Sequence, residues 1–135
     1  MYIAKFPIFL LVLAMLLAAC NSSINKAEQI DKEVMQKHDE AMAKSGYVLS
    51  LKRKINNKLD SVNDSLLIDS LQAISVKLYT ADRLMLDWMH QYQTPNYETD
   101  TAAAYLNLQL EKINKVHSIT FESIKAAEAI LKNEK

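Results

Sequence analysis

The chain has 135 residues, and its 16 basic residues balance 16 acidic ones, so it carries no net charge at pH 7. A neutral chain lacks the electrostatic footprint of a nucleic-acid binder, and this length suits one domain. One glycine, two prolines and one cysteine argue against a turn-rich β architecture and exclude an intramolecular disulfide.

The N-terminal segment reads as an export signal. Lys5 is followed by an apolar run from Phe6 to Leu17, then by Ala18, Ala19 and Cys20. A charge, an apolar stretch and small residues, in that order, are the parts of a secretory signal. The run is shorter than the ~20 residues a spanning helix needs. Leu17-Ala18-Ala19-Cys20 resembles the lipobox of bacterial lipoproteins. That resemblance implies cleavage before Cys20 and lipidation of its sulfur, palmitate included. Buried methylenes contribute ~0.8 kcal/mol each, so several chains on one cysteine hold a protein firmly to a bilayer. A lipidated sulfur is lost to metal binding and to nucleophilic catalysis. The expected division is 1–19 signal peptide, 20–25 lipidated cysteine and tether, and 26–135 helical domain. Cleavage removes Lys5 alone among the charges, leaving 15 basic and 16 acidic residues at −1.

Asn25, with Glu28 three residues on, has the form of a capping box. A helix is predicted from there to about Leu59. Val34, Ala41, Val48, Ile55 and Val62 recur every seventh position, flanked by Met35, Met42 and Leu49. Gly46 is the one weak point, since glycine costs ~1 kcal/mol relative to alanine inside a helix. The unbroken phase of the apolar stripe favours one long helix, with the small residues Ser45 and Gly46 admitting a bulky neighbour. A break at Gly46 gives four helices instead.

Asp60 to Asp64 reads as a turn. The second helix is predicted from about Ser65 to Tyr92, with Leu67, Leu71, Ile74, Leu78, Ala81, Met85, Trp88 and Tyr92 as its seam. Pro95 stops it, and Gln93 to Glu98 forms a loop. Thr99 or Asp100 caps a third helix that runs to about Asn133. Its predicted seam is Ala103, Leu106, Leu110, Ile113, His117, Thr120, Ile124, Ala127 and Leu131. The fold class is therefore all-α, an antiparallel up-down-up three-helix bundle.

Tight turns set the expected levels of the side chains. His38 falls within about a turn of Asp82, Met85 and Trp88, and Trp88 beside Ala104 and Leu106. His117 falls level with Ile74 and Val48. The two histidines are then separated by about twelve residues, roughly 18 Å along a helix, too far for one metal. A local set remains: His38 with Met35, Met42 and Met85. Thioether and imidazole groups suit soft Cu(I), which makes a copper- or haem-binding bundle centred on His38 the alternative reading. The competing account has methionines filling gaps in a core and His38 paired with Asp82. His117 is expected to bond Thr120 or a backbone carbonyl, and His90 to face solvent. Tyr92, Tyr97 and Tyr105 gather with Trp88 at the loop end, as a ligand floor or as packing. Lys52, Arg53, Lys54 and Lys58 complement the C-terminal dipole of the first helix or meet a phosphate-bearing partner. No phosphate loop, nucleophilic serine motif or paired catalytic carboxylates are present, so no enzyme activity and no cofactor are expected.

Val34-Met35, His38-Asp39-Glu40 with Met42, Ala81-Asp82 with Met85, and Asp87-Trp88-Met89-His90 resemble a family of small Bacteroidota lipoproteins often labelled viral A-type inclusion proteins. The resemblance implies a lipid-anchored envelope protein and no activity. Asp60-Ser61-Val62, Asp64-Ser65-Leu66, Asp69-Ser70-Leu71 and Asp100-Thr101-Ala102 resemble O-glycosylation sites of exported Bacteroidota proteins, at Ser61, Ser65, Ser70 and Thr101. The expectation is thus a non-enzymatic envelope lipoprotein with a structural or interaction role. Its anchor is a membrane, outer before inner, and its protein partner is not encoded in any motif.

Overall fold

The computed structural model describes residues 6–132, with side chains from Ile24 to Lys132. The side chains of residues 1–23, Cys20 among them, lie outside the described residues. The described residues form four helices and no strand: α1 (Phe6–Met42), α2 (Ser45–Leu59), α3 (Ser65–Gln91) and α4 (Ala102–Lys132). None of the described helices is long and apolar enough to cross a membrane.

α1 runs through Asn25 without interruption, so Asn25 is no N-cap and the expected tether is helical. After Pro7, whose missing N–H is harmless in a first turn, no glycine or proline interrupts the chain until Gly46. The break between α1 and α2 falls at Ala43 and Lys44, just ahead of Gly46. There the Lys44 N–H turns to the Ala41 carbonyl at 3.0 Å, a tighter i−3 bond, before the ladder resumes from Val48 to Lys44. The change of packing partner explains the position. α1 lies mainly on α4, whereas α2 lies mainly on α3, so the first rod bends where it changes neighbours. Gly46 itself sits inside α2 without a positive φ, and a Cβ built on it would meet nothing within 4 Å. The expectation of a bulky neighbour there is therefore wrong.

Asp64 starts α3 by accepting from the backbone N–H groups of Leu66 and Leu67 at 2.9 and 3.2 Å. Such a cap contributes about 1 kcal/mol. α3 ends at Gln91, and the chain returns through Pro95 to α4, which starts at Ala102, so that Thr101 rather than the expected cap Thr99 or Asp100 directly precedes it.

The core follows the predicted stripes of the first two segments. Val48, Leu51 and Ile55 of α2 pack with Leu71 and Leu78 of α3 and with Ile124 and Ala127 of α4. Val34 and Ala41 of α1 pack with Met85, Trp88, Ile113 and Val116. Ala27 packs with Ala102 and Leu106. Burying a leucine such as Leu71 or Leu78 contributes about 2 kcal/mol. α4 departs from expectation: Ala102, Gln109, Val116 and Ser123 are buried beside the predicted seam. α4 is packed by all three other helices, so its buried stripe is wider than one a/d line. The hydroxyls drawn inside are satisfied locally, Thr120 donating to the Val116 carbonyl and Ser123 to the Thr120 carbonyl.

The register of α4 also differs. Trp88 packs in one buried cluster with Ile113 and Val116, whereas Leu106, its expected neighbour along with Ala104, packs in another with Ala27 and Ala102. The connection from Tyr92 to Thr101 is no tight turn. Asn96 organises it by accepting from the Glu98 and Thr99 N–H groups through its side chain and carbonyl, respectively. The longer path slides α4 relative to α3.

Candidate functional site

His38 reaches Trp88, as its seam position requires, with ring centroids 5.4 Å apart. Its Nδ1 lies 2.9 Å from the carboxylate of Asp39. The expected partner, Asp82, is taken instead by Lys52, whose ammonium lies 3.3 Å away and also sits over the Tyr79 ring. The sulfur groups proposed for a metal separate into different environments. Met42 and Met85 line one groove. Met35 is 36% exposed, and His38 is absent from that groove's lining. Among the described residues no three His, Cys, Asp or Glu side chains converge as a metal site.

His117 does not bond Thr120. Its Nε2 lies 3.0 Å from Glu40, and its ring stacks on Phe121 at 4.4 Å between centroids. Glu40 is two residues past His38, so the two histidines stand at nearly one level and the expected 18 Å separation fails. They nonetheless serve different neighbours, His38 towards α3 and His117 towards α1. Hydrogen bonds from Gln36 first, then Lys37, with a smaller share from His117, hold the Glu40 carboxyl below its ordinary value. His90 is exposed, as expected.

The loop end holds the densest polar cluster. Trp88 stacks on Tyr92 at 4.8 Å, and Tyr92 tilts against Tyr105 at 6.4 Å. The phenols of Tyr92 and Tyr97 both donate to Asp31, one to each carboxylate oxygen. The Tyr105 hydroxyl accepts from the Gln93 N–H at 2.9 Å. The bond to Asp31 pushes the Tyr97 phenol up to about 12. Burial, then the same carboxylate, raises Tyr92 further. These contacts pin the loop to α1, α3 and α4, so the tyrosines pack the end of the bundle. Asp31 is the residue that sequence reasoning missed. Its signal was present: Ala27, Asp31, Val34, His38 and Ala41 alternate steps of four and three, which places a carboxylate in the seam. The Trp88 Nε1 and the Gln109 Oε1 are buried without a hydrogen-bond partner.

A groove of about 230 Å³ lies between the bent first rod and α3, with Ala41, Met42, Val48, Ala81, Met85 and Thr120 in its lining. It exists because α1 leans towards α4 and because Ala41, Ser45 and Ala81 are small. Of the basic residues near the end of α2, Arg53 and Lys54 are exposed, Lys52 is committed to Asp82, and Lys58 is half-buried. Ser61, Ser65, Ser70 and Thr101 are all exposed. Comparison with protein-family models, with curated proteins and with solved structures finds no match.

Proposed function

We propose that this chain is an exported lipoprotein held to a membrane through Cys20, whose up-down-up helical bundle is an interaction module of the cell envelope rather than an enzyme. The anchor rests on the lipobox and on the resemblance to small Bacteroidota lipoproteins. The observation that carries the interaction role is the groove at the α1–α2 break. Its lining is mostly apolar and includes the exposed Leu49 and Leu86, and Met35 and Met89 are exposed further along α1 and α3. Apolar side chains clustered on a surface mark an association site, and methionine adapts its shape to a partner. The polar groups nearest a catalytic arrangement, Asp31, His38, Glu40 and His117, are each engaged within the bundle. The exposed hydroxyls at Ser61, Ser65, Ser70 and Thr101 are compatible with O-glycosylation as part of the same exported life.

Radiolabelled palmitate supplied to cells expressing the chain tests the anchor. The label is expected in the parent protein and absent from Cys20→Ser, which also leaves the membrane fraction. Equal labelling of both, or none of either, overturns the anchor.

A further inference from the structure

The first rod has a face that its own bundle leaves uncovered. Met35 and Leu49 are 36% and 46% exposed, with the half-buried Met42 between them. Beside that line runs a second column at seven-residue steps, Lys32, Asp39, Gly46, Arg53 and Asp60, every member exposed. Seven residues are two helical turns, so Lys32 and Asp39 share one side of α1 and Gly46 and Arg53 one side of α2, with Asp60 at the C-cap of α2. The buried stripe Val34, Ala41, Val48 and Ile55 keeps its phase across the break. Its charges are opposite about Gly46: Asp39 and Arg53 are equally far from it, and so are Lys32 and Asp60. Among the described residues Lys32, Arg53 and Asp60 form no ion pair, and Asp39 has only its neighbour His38. No atom of the bundle approaches the open side of Gly46 within 4 Å of a built Cβ.

This order of charges selects a partner. A second copy laid parallel sets lysine on lysine, aspartate on aspartate and arginine on arginine. Laid antiparallel, with a two-fold axis at Gly46, Asp39 meets Arg53 of the partner subunit and Lys32 meets Asp60 of the partner subunit. Each pair then occurs twice, as an isologous interface requires. Flanking charges of this kind choose orientation and partner in paired helices, while the Met35–Met42–Leu49 line supplies the apolar contact. Leu86 and Met89 of α3, 49% and 41% exposed across the groove, extend the apolar area.

We infer that this face of the first rod binds a second copy of the chain, antiparallel, across a two-fold axis at Gly46. The inference rests on the interaction reading and names its partner. It also sets the two N-termini at opposite ends of the assembly, so both anchors reach one membrane when the rods lie along its surface.

The test uses the full chain in detergent, with Cys20→Ser so that one thiol can be introduced at will. Sedimentation equilibrium is expected to show a dimer. Asp39→Arg and Arg53→Asp each turn two attractions into two repulsions and are expected to weaken it about tenfold. The double reversal is expected to restore it. Gly46→Cys is expected to oxidise to a disulfide dimer far faster than Asn107→Cys, placed on the exposed side of α4. All these sites are exposed, and circular dichroism checks that helicity is kept. A monomer at every concentration, charge reversals without effect, or equal cross-linking at both positions overturns the inference. A chain that dimerises yet takes no palmitate overturns the anchor and leaves the dimer standing.

Discussion

Asp31 concentrates more tertiary consequence than any other single side chain described. Two phenols from beyond the α3 terminus meet on its carboxylate, and losing such bonds costs about 1–3 kcal/mol. Asp31→Asn should therefore lower the unfolding midpoint in urea. It should also bring the Tyr97 titration down from about 12 towards the ordinary 10.0, followed by phenolate absorbance. The sign is set by which form the fold prefers. Tyr97 is raised on folding, so its contribution is complete below about pH 10 and is lost as pH climbs towards 12. An unchanged Tyr97 titration in Asp31→Asn refutes this account. Sequence reasoning gathered the tyrosines at the right end but overlooked their acceptor. A charged residue in an apolar seam looks like an interruption until the loop that covers it is placed.

Helices are the scale at which the chain was most legible. Heptad spacing located the buried stripes of α1 to α3, and Asp64 marks the start of α3 through a cap that its neighbours satisfy. The unbroken phase of the apolar stripe favours one long first helix, with a break at Gly46 as the alternative; the helix does break, but at Ala43 and Lys44, and Gly46 is helical and exposed. Gly46→Ala should thus stabilise the monomer by about 0.5 kcal/mol, by narrowing the unfolded ensemble without a clash. Thermal unfolding at dilutions that keep chains apart measures it, and a lower midpoint contradicts the placement. The widened stripe of α4 had no signature of its own. Gln109 and Ser123 are polar, and only contact with three neighbours makes them interior.

Across the whole molecule, Glu40 ties α1 to α4 through His117. Its carboxyl is lowered from 4.5, by hydrogen bonds from Gln36 first and Lys37 next within α1 and least by His117, so it stabilises the fold at pH above the unfolded value and the contribution disappears as pH falls through the folded one. Acid titration of stability should therefore show a smaller loss below about pH 4.5 for Glu40→Gln than for the parent. Equal acid sensitivity contradicts the role. The amino-acid order by itself determined helicity, the phase of the apolar stripes and the motif at Cys20, because periodicity and local chemistry repeat within a few turns. Tertiary structure alone decided the bend at Ala43 and Lys44, the level of His38 against His117, and the partners of Asp31, Asp82 and Glu40. Those depend on how far one helix slides along another, and the slide is governed by the loop from Tyr92 to Thr101, whose path no periodic pattern encodes.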